Sequence, residues 1–225
     1  MALLKKFGVV EKAAGALVPD MEKINRLTLA ELTAEEVFVF RLSASNDQID
    51  RDFERFTVRS LKDMAALYVG RTVITDHSWS ADGQIARVYD AYVETGEDGI
   101  TRLMLLCYML RTAAMEPAID AIRGGILREV SVSCAVKSAR CSICGVDRHE
   151  KICGHRKGQL YDGQLCVIEL DGVSDVYEVS FCAVPANAGA GTTKNMEPEP
   201  ESAPGDDTSK SAWDDMLAQM ALIFG

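Results

Sequence analysis

No stretch of this chain approaches the roughly 18 consecutive apolar residues that a membrane-spanning helix needs, so the sequence offers no candidate span. Residues 1–18 carry Lys5 and Lys6 ahead of a mostly apolar run, but Glu11 and Lys12 interrupt it. A signal peptide needs an unbroken apolar core, and the chain therefore reads as intracellular. Basic charge is short as well: 24 Lys and Arg stand against 34 Asp and Glu, a net charge of −10. That excludes nonspecific capture of nucleic acid and attraction to an acidic membrane surface. Histidine is scarce, with three in the chain, and no internal repeat is visible.

What is present suits one globular domain with tails: 225 residues, 48% hydrophobic and 26% charged. Residues 1–34 read as a helical leader, because Leu3, Leu4, Phe7, Val10 and Ala14 recur at helical spacing until Pro19 breaks the pattern. The domain proper, 35–191, opens with a strand at 37–40. Ser60 is placed to cap a helix running to Val69, with Leu61, Met64, Ala65 and Tyr68 on one face and Gly70 to end it. A short strand, 71–75, delivers Asp76-His77-Ser78-Trp79. Alternating stretches at 84–94 and 100–110 predict a hairpin. A helix is expected over 115–123, with Pro117 in its first turn and Gly124-Gly125 stopping it. Strands at 130–137 and 177–184 flank a cysteine-rich insertion, 138–166. Residues 192–210 form an acidic linker rich in Pro, Glu and Ser, and 211–225 a short amphipathic helix with Trp213, Met216, Leu217 and Met220 on one face. Strands broken by two or three helices predict an α+β fold with a small β-barrel-like core.

Four of the seven cysteines fall in the insertion. Cys141-Ser-Ile-Cys144 is followed, after eight intervening residues, by Cys153-Gly-His155. A Cys-x-x-Cys turn and a Cys-x-His pair supply the four donors of a tetrahedral zinc ion. With no open position such a site is structural, a zinc knuckle folding a flap that has almost no apolar core of its own. His149 is an alternative fourth ligand and Cys166 a weaker one. In a reduced compartment, clustered cysteines favour metal over disulfides. Arg140, Arg148, Lys151, Arg156 and Lys157 make the flap basic on an acidic protein.

With His149 and His155 in or near that flap, His77 is the histidine left for general base work. In Glu129-Val-Ser131-Val-Ser133-Cys134 the serines alternate with apolar residues, so Ser131 and Ser133 share one face of a strand. A strand hydroxyl becomes nucleophilic only with a base within about 3 Å. Glu178, in Tyr177-Glu-Val-Ser-Phe181, is a carboxylate that could orient and stabilise an imidazole; Asp76, Asp171 and Asp175 compete with it.

The ordered set of blocks resembles the capsid maturation (prohead) serine proteases of tailed bacteriophages, which share a fold with the herpesvirus assemblin proteases. The likeness spans residues 35–190. It rests on Ile49-Asp-Arg-Asp-Phe-Glu-Arg-Phe56, on Asp76-His-Ser-Trp-Ser-Ala81 with Ile85-Ala-Arg87, on Glu129-Val-Ser-Val-Ser133, and on Tyr177-Glu-Val-Ser180 with Val184-Pro-Ala-Asn187. The resemblance implies a herpesvirus-protease-like fold carrying the flap, a His77 base, a Ser131 nucleophile and a Glu178 third residue, with no cofactor for catalysis. The family often has glycine two positions after the nucleophile, where this chain has Ser133. That leaves two serines in contention. It further implies a serine endopeptidase acting on scaffold segments of the capsid shell, and on its own tails, inside the assembling procapsid in the host cytoplasm. Relatives of this fold can be dimers, so a homo-oligomer is a partner to test. The alternatives are a non-catalytic capsid scaffold or assembly factor held together by structural zinc, and, ranked last, a metallohydrolase.

Overall fold

The computed structural model describes residues 17–183, together with the backbone of residues 4–10. The expected linker at 192–210, the helix at 211–225 and the Val184-Pro-Ala-Asn187 block lie outside the described residues. In chain order the elements are β1 (Leu4–Val10), α1 (Met21–Asn25), β2 (Val37–Asn46), β3 (Glu54–Phe56), α2 (Val58–Tyr68), β4 (Thr72–Thr75), β5 (Ala86–Thr95), β6 (Thr101–Leu110), α3 (Glu116–Arg123), β7 (Glu129–Cys141), β8 (Leu160–Tyr161), β9 (Gln164–Leu165) and β10 (Ile168–Phe181). Among the described residues no helix is long and apolar enough to cross a membrane.

One sheet dominates, in the order β3-β10-β4-β5-β6-β2-β1-β7, and a further β10–β7 pairing turns it back on itself. The result is a mostly-strand α+β architecture whose sheet is curled like a barrel wall. β10 organises it. Its first residues run parallel to β3, its last four parallel to β4, and nearly its whole length antiparallel to β7. The alternation in β7 explains the core: Val130, Val132 and Cys134 are fully buried and meet Val176, Val179 and Phe181 of β10. Leu42, Leu103 and Leu105 complete that core, with Leu61, Met64 and Tyr68 of α2. Burying each such leucine is worth ~1.5–3 kcal/mol. A smaller cluster, Ile24, Val37, Tyr89 and Tyr108, seats α1 on the sheet.

Three local expectations are corrected. The leader is not helical at its start: Leu4–Val10 is a strand paired antiparallel with β7 from Leu4↔Cys134 to Val9↔Glu129. The Leu4, Phe7 and Val10 spacing suits a helix, but a strand edge carries unpaired main-chain groups, and pairing with β7 satisfies them. Among the described residues of this segment the α-helix is Met21–Asn25. Second, α2 begins earlier than a Ser60 cap allows. Thr57 has an extended backbone and its hydroxyl accepts from the Ser60 amide, whereas the Ser60 hydroxyl donates to the Leu170 carbonyl at 2.8 Å. Third, both flanking strands are longer than predicted: β7 runs on to Cys141, inside the predicted insertion, and β10 begins at Ile168 rather than Tyr177. The flap is therefore mounted on the ends of the two longest strands.

Candidate active site and metal centre

β4 ends where a tight corner begins. Asp76 and His77 both adopt left-handed backbone, with φ of 51° and 50°, each costing on the order of 1–3 kcal/mol for a residue with a side chain. Main-chain bonds hold the corner: the Asp76 amide donates to the Phe181 carbonyl at 2.9 Å and the Ser78 amide to the Thr75 carbonyl at 2.9 Å. The His77 amide donates to the Ser180 hydroxyl at 2.9 Å, which in turn donates to the Phe181 carbonyl. Ser180 thus clamps the root of the imidazole to β10.

A bulge aims the carboxylate. Val176 pairs with Cys134 and Glu178 with Ser133, so two steps on β10 match one on β7 and Tyr177 is the extra residue. Strict alternation would turn Glu178 toward the same side as buried Val176. The added residue turns it to the serine side instead. Glu178 Oε1 lies 2.8 Å from His77 Nδ1 and accepts from the Ser133 hydroxyl, which is itself 3.5 Å from Nδ1. The side chains are secluded: His77 is 12% and Glu178 3% exposed.

Of the residues singled out in sequence, His77 and Glu178 are brought together, and Ser133 joins them. Ser131 is fully buried on the same face, opposite Ser180, and its hydroxyl makes no hydrogen bond among the described residues; the same holds for Glu178 Oε2. Two of the competing acids are engaged elsewhere. Asp171 accepts from the Thr57 hydroxyl at 2.7 Å and faces Arg59, while Asp175 pairs with Arg71 at 3.0 Å. Ser180 was not foreseen, although its spacing two residues after Glu178 would have marked it as sharing that face.

The flap gathers Cys141, Cys144, Cys153 and His155 with one donor atom each, all within 4.8 Å of one another. Donors around a tetrahedral zinc at 2.3 Å stand somewhat under ~4 Å apart, so the set fits one ion. His155 Nδ1 is buried without a hydrogen-bond partner, as an uncommitted ligand atom would be. Burial pushes the Cys141 thiol up, but the Cys144 and Ile143 amides outweigh it and bring the thiol down to about 7. The turn after Cys144 is made by Gly145 at φ 71°. The alternative ligands stand apart: the His149 Nδ1 is 3.2 Å from the Lys137 carbonyl, and Cys166 lies 3.8 Å from Cys141 but outside the four-donor group. The flap returns to the sheet through Lys157, which pairs with Glu54 at 2.8 Å, and through Gly158, packed on the Phe53 ring.

The four-donor group and the imidazole are far apart along the strands. Ser131 pairs near one end of the β7–β10 ladder and Cys141 at the other, about 30 Å of strand at 3.3 Å per residue. Compared with protein-family models, with curated proteins and with solved structures, the chain matches none of them.

Proposed function

We propose that the protein is a serine endopeptidase of the phage prohead type, folded like the herpesvirus assemblin proteases. His77 is its base, Glu178 the acid that orients the base, and Ser131 the nucleophile. The observation that carries the reading is the buried His77–Glu178 pair set against a strand that presents two serines. An acid on Nδ1 leaves Nε2 as the atom that takes the nucleophile's proton. Ser133 approaches the ring from the Nδ1 edge and its hydroxyl donates its hydrogen bond to the carboxylate, so it holds the acid in place. Ser131 has an uncommitted hydroxyl, and its cross-strand neighbour Ser180 binds the His77 amide.

In the proposed reaction His77 Nε2 removes the Ser131 proton as Oγ attacks the peptide carbonyl. The imidazolium then protonates the leaving amine, and water attacks the acyl-enzyme by the same base. Glu178 stabilises the imidazolium. The flap residues would hold a structural Zn2+, which fixes the flap and takes no part in the chemistry. The substrates on this reading are scaffold segments of the procapsid shell and the chain's own residues 192–210, whose sequence is acidic, rich in Pro, Glu and Ser, and without apolar periodicity.

Ser131→Ala tests the proposal. It should abolish both labelling by a fluorophosphonate probe and cleavage of shell protein, while Ser133→Ala should keep both at a reduced rate. Cleavage that persists in Ser131→Ala removes Ser131 as nucleophile; no labelling of any serine in the folded chain removes the enzyme. The second reading, a non-catalytic assembly factor, draws on the complete burial of Ser131, since substrate reaches that hydroxyl only if the surface over it opens.

A further inference from the structure

The bulge at Tyr177 shifts the β7–β10 register, and a side chain from a third element bonds to the main chain just beyond it. Tyr68, the last residue of α2, is fully buried. Its hydroxyl donates to the Glu178 carbonyl at 3.1 Å. Burial pushes the phenol well above its ordinary range, so it stays a protonated donor at any working pH.

The residue it holds is the one whose carboxylate meets His77 Nδ1. We infer that Tyr68 is a positioning residue whose hydroxyl bridges α2 to the Glu178 main chain beside the bulge and so sets the Glu178 carboxylate against His77 Nδ1. Its effect on hydrolysis rests on the peptidase reading; its effect on the imidazole does not. A tyrosine serving the core alone would matter through its ring, which belongs to the same buried cluster as Leu61, Met64 and Val179, and its hydroxyl would be dispensable to the histidine.

The test uses the full chain with Tyr68→Phe, which keeps the ring and removes the bridge. Two quantities are read: the proton resonance of His77 Nδ1–H, and the rate and pH midpoint of fluorophosphonate labelling at Ser131. The resonance should move or vanish into exchange, and labelling should slow about tenfold, the worth of roughly one hydrogen bond, with its midpoint displaced. An unchanged resonance overturns the inference. So does an unchanged labelling rate and midpoint when the wild-type chain labels. If the wild-type chain does not label, the peptidase reading falls, and the resonance alone decides this inference. Should Tyr68→Phe fail to fold, trifluorotyrosine at position 68 preserves the shape and strengthens the donor; an unmoved His77 resonance there overturns it equally.

Discussion

Glu178 Oε1 sits 2.8 Å from His77 Nδ1 although 101 residues separate the two in sequence. Neither residue could make that contact on a regular lattice of strands. His77 needs a left-handed corner after β4, and Glu178 needs the extra residue in β10.

Replacing that carboxylate is expected to disable the base without unfolding the chain. Glu178→Gln keeps the size of the side chain but presents an amide where Nδ1–H needs an acceptor, which favours the wrong tautomer. Labelling at Ser131 should fall by about 10³–10⁴, with the thermal midpoint close to that of the parent. Undiminished labelling would show that Glu178 does not orient the imidazole.

Ser133→Ala should separate stability from chemistry. The buried carboxyl keeps His77 and loses its hydroxyl donor, at a cost of ~1–3 kcal/mol, readable as a lower urea midpoint with unchanged slope. Hydrolysis should survive at a reduced rate. If Ser133→Ala abolishes labelling while Ser131→Ala leaves it intact, the roles of the two serines are exchanged.

For the flap, atomic emission should find about one zinc per chain. Cys144→Ser should lower the metal content and expose the flap to limited proteolysis, leaving the far end of the β7–β10 seam protected in hydrogen exchange. A chelator added briefly to the folded chain should leave Ser131 labelling nearly unchanged. Immediate loss of labelling on chelation would place metal in the chemistry.

Acid should loosen the flap through Asp147. Its carboxyl is held down at about 2, chiefly by hydrogen bonding from Ser138, with further bonds from the His149 and Ala139 amides. A carboxyl whose folded pKa lies below its ordinary value of 3.8 adds stability above that value and loses it as pH falls toward 2. The stability difference between the parent and Asp147→Ala should therefore be full at pH 5 and shrink between about pH 4 and 2. A difference constant across that range would remove Asp147 from the flap's acid response.

Much of this arrangement was legible in residue order. The alternation of Val130, Val132 and Cys134 marks a core-facing strand, and those residues are fully buried. The Cys-x-x-Cys and Cys-x-His pairs mark donors that the structure collects into one group. The corner at His77 follows from a short strand ending in polar residues. The bulge at Tyr177 was not legible, because one extra residue in an alternating strand leaves no glycine or proline to signal it. Nor was β1: Leu4, Phe7 and Val10 follow a helical spacing, and pairing with β7 overrides it. Thr57 and Ser60 both suit a cap, and backbone angles choose Thr57.

The corner at Asp76 and His77 has a bearing on when the proposed chemistry can begin. Two of the three amide bonds that hold its strained backbone go to the tail of β10, so a chain that has not yet closed this seam lacks most of what keeps the imidazole beside Glu178. Hydrolytic competence would then arrive last during folding and vanish first on loosening, leaving half-made copies harmless to the proteins around them.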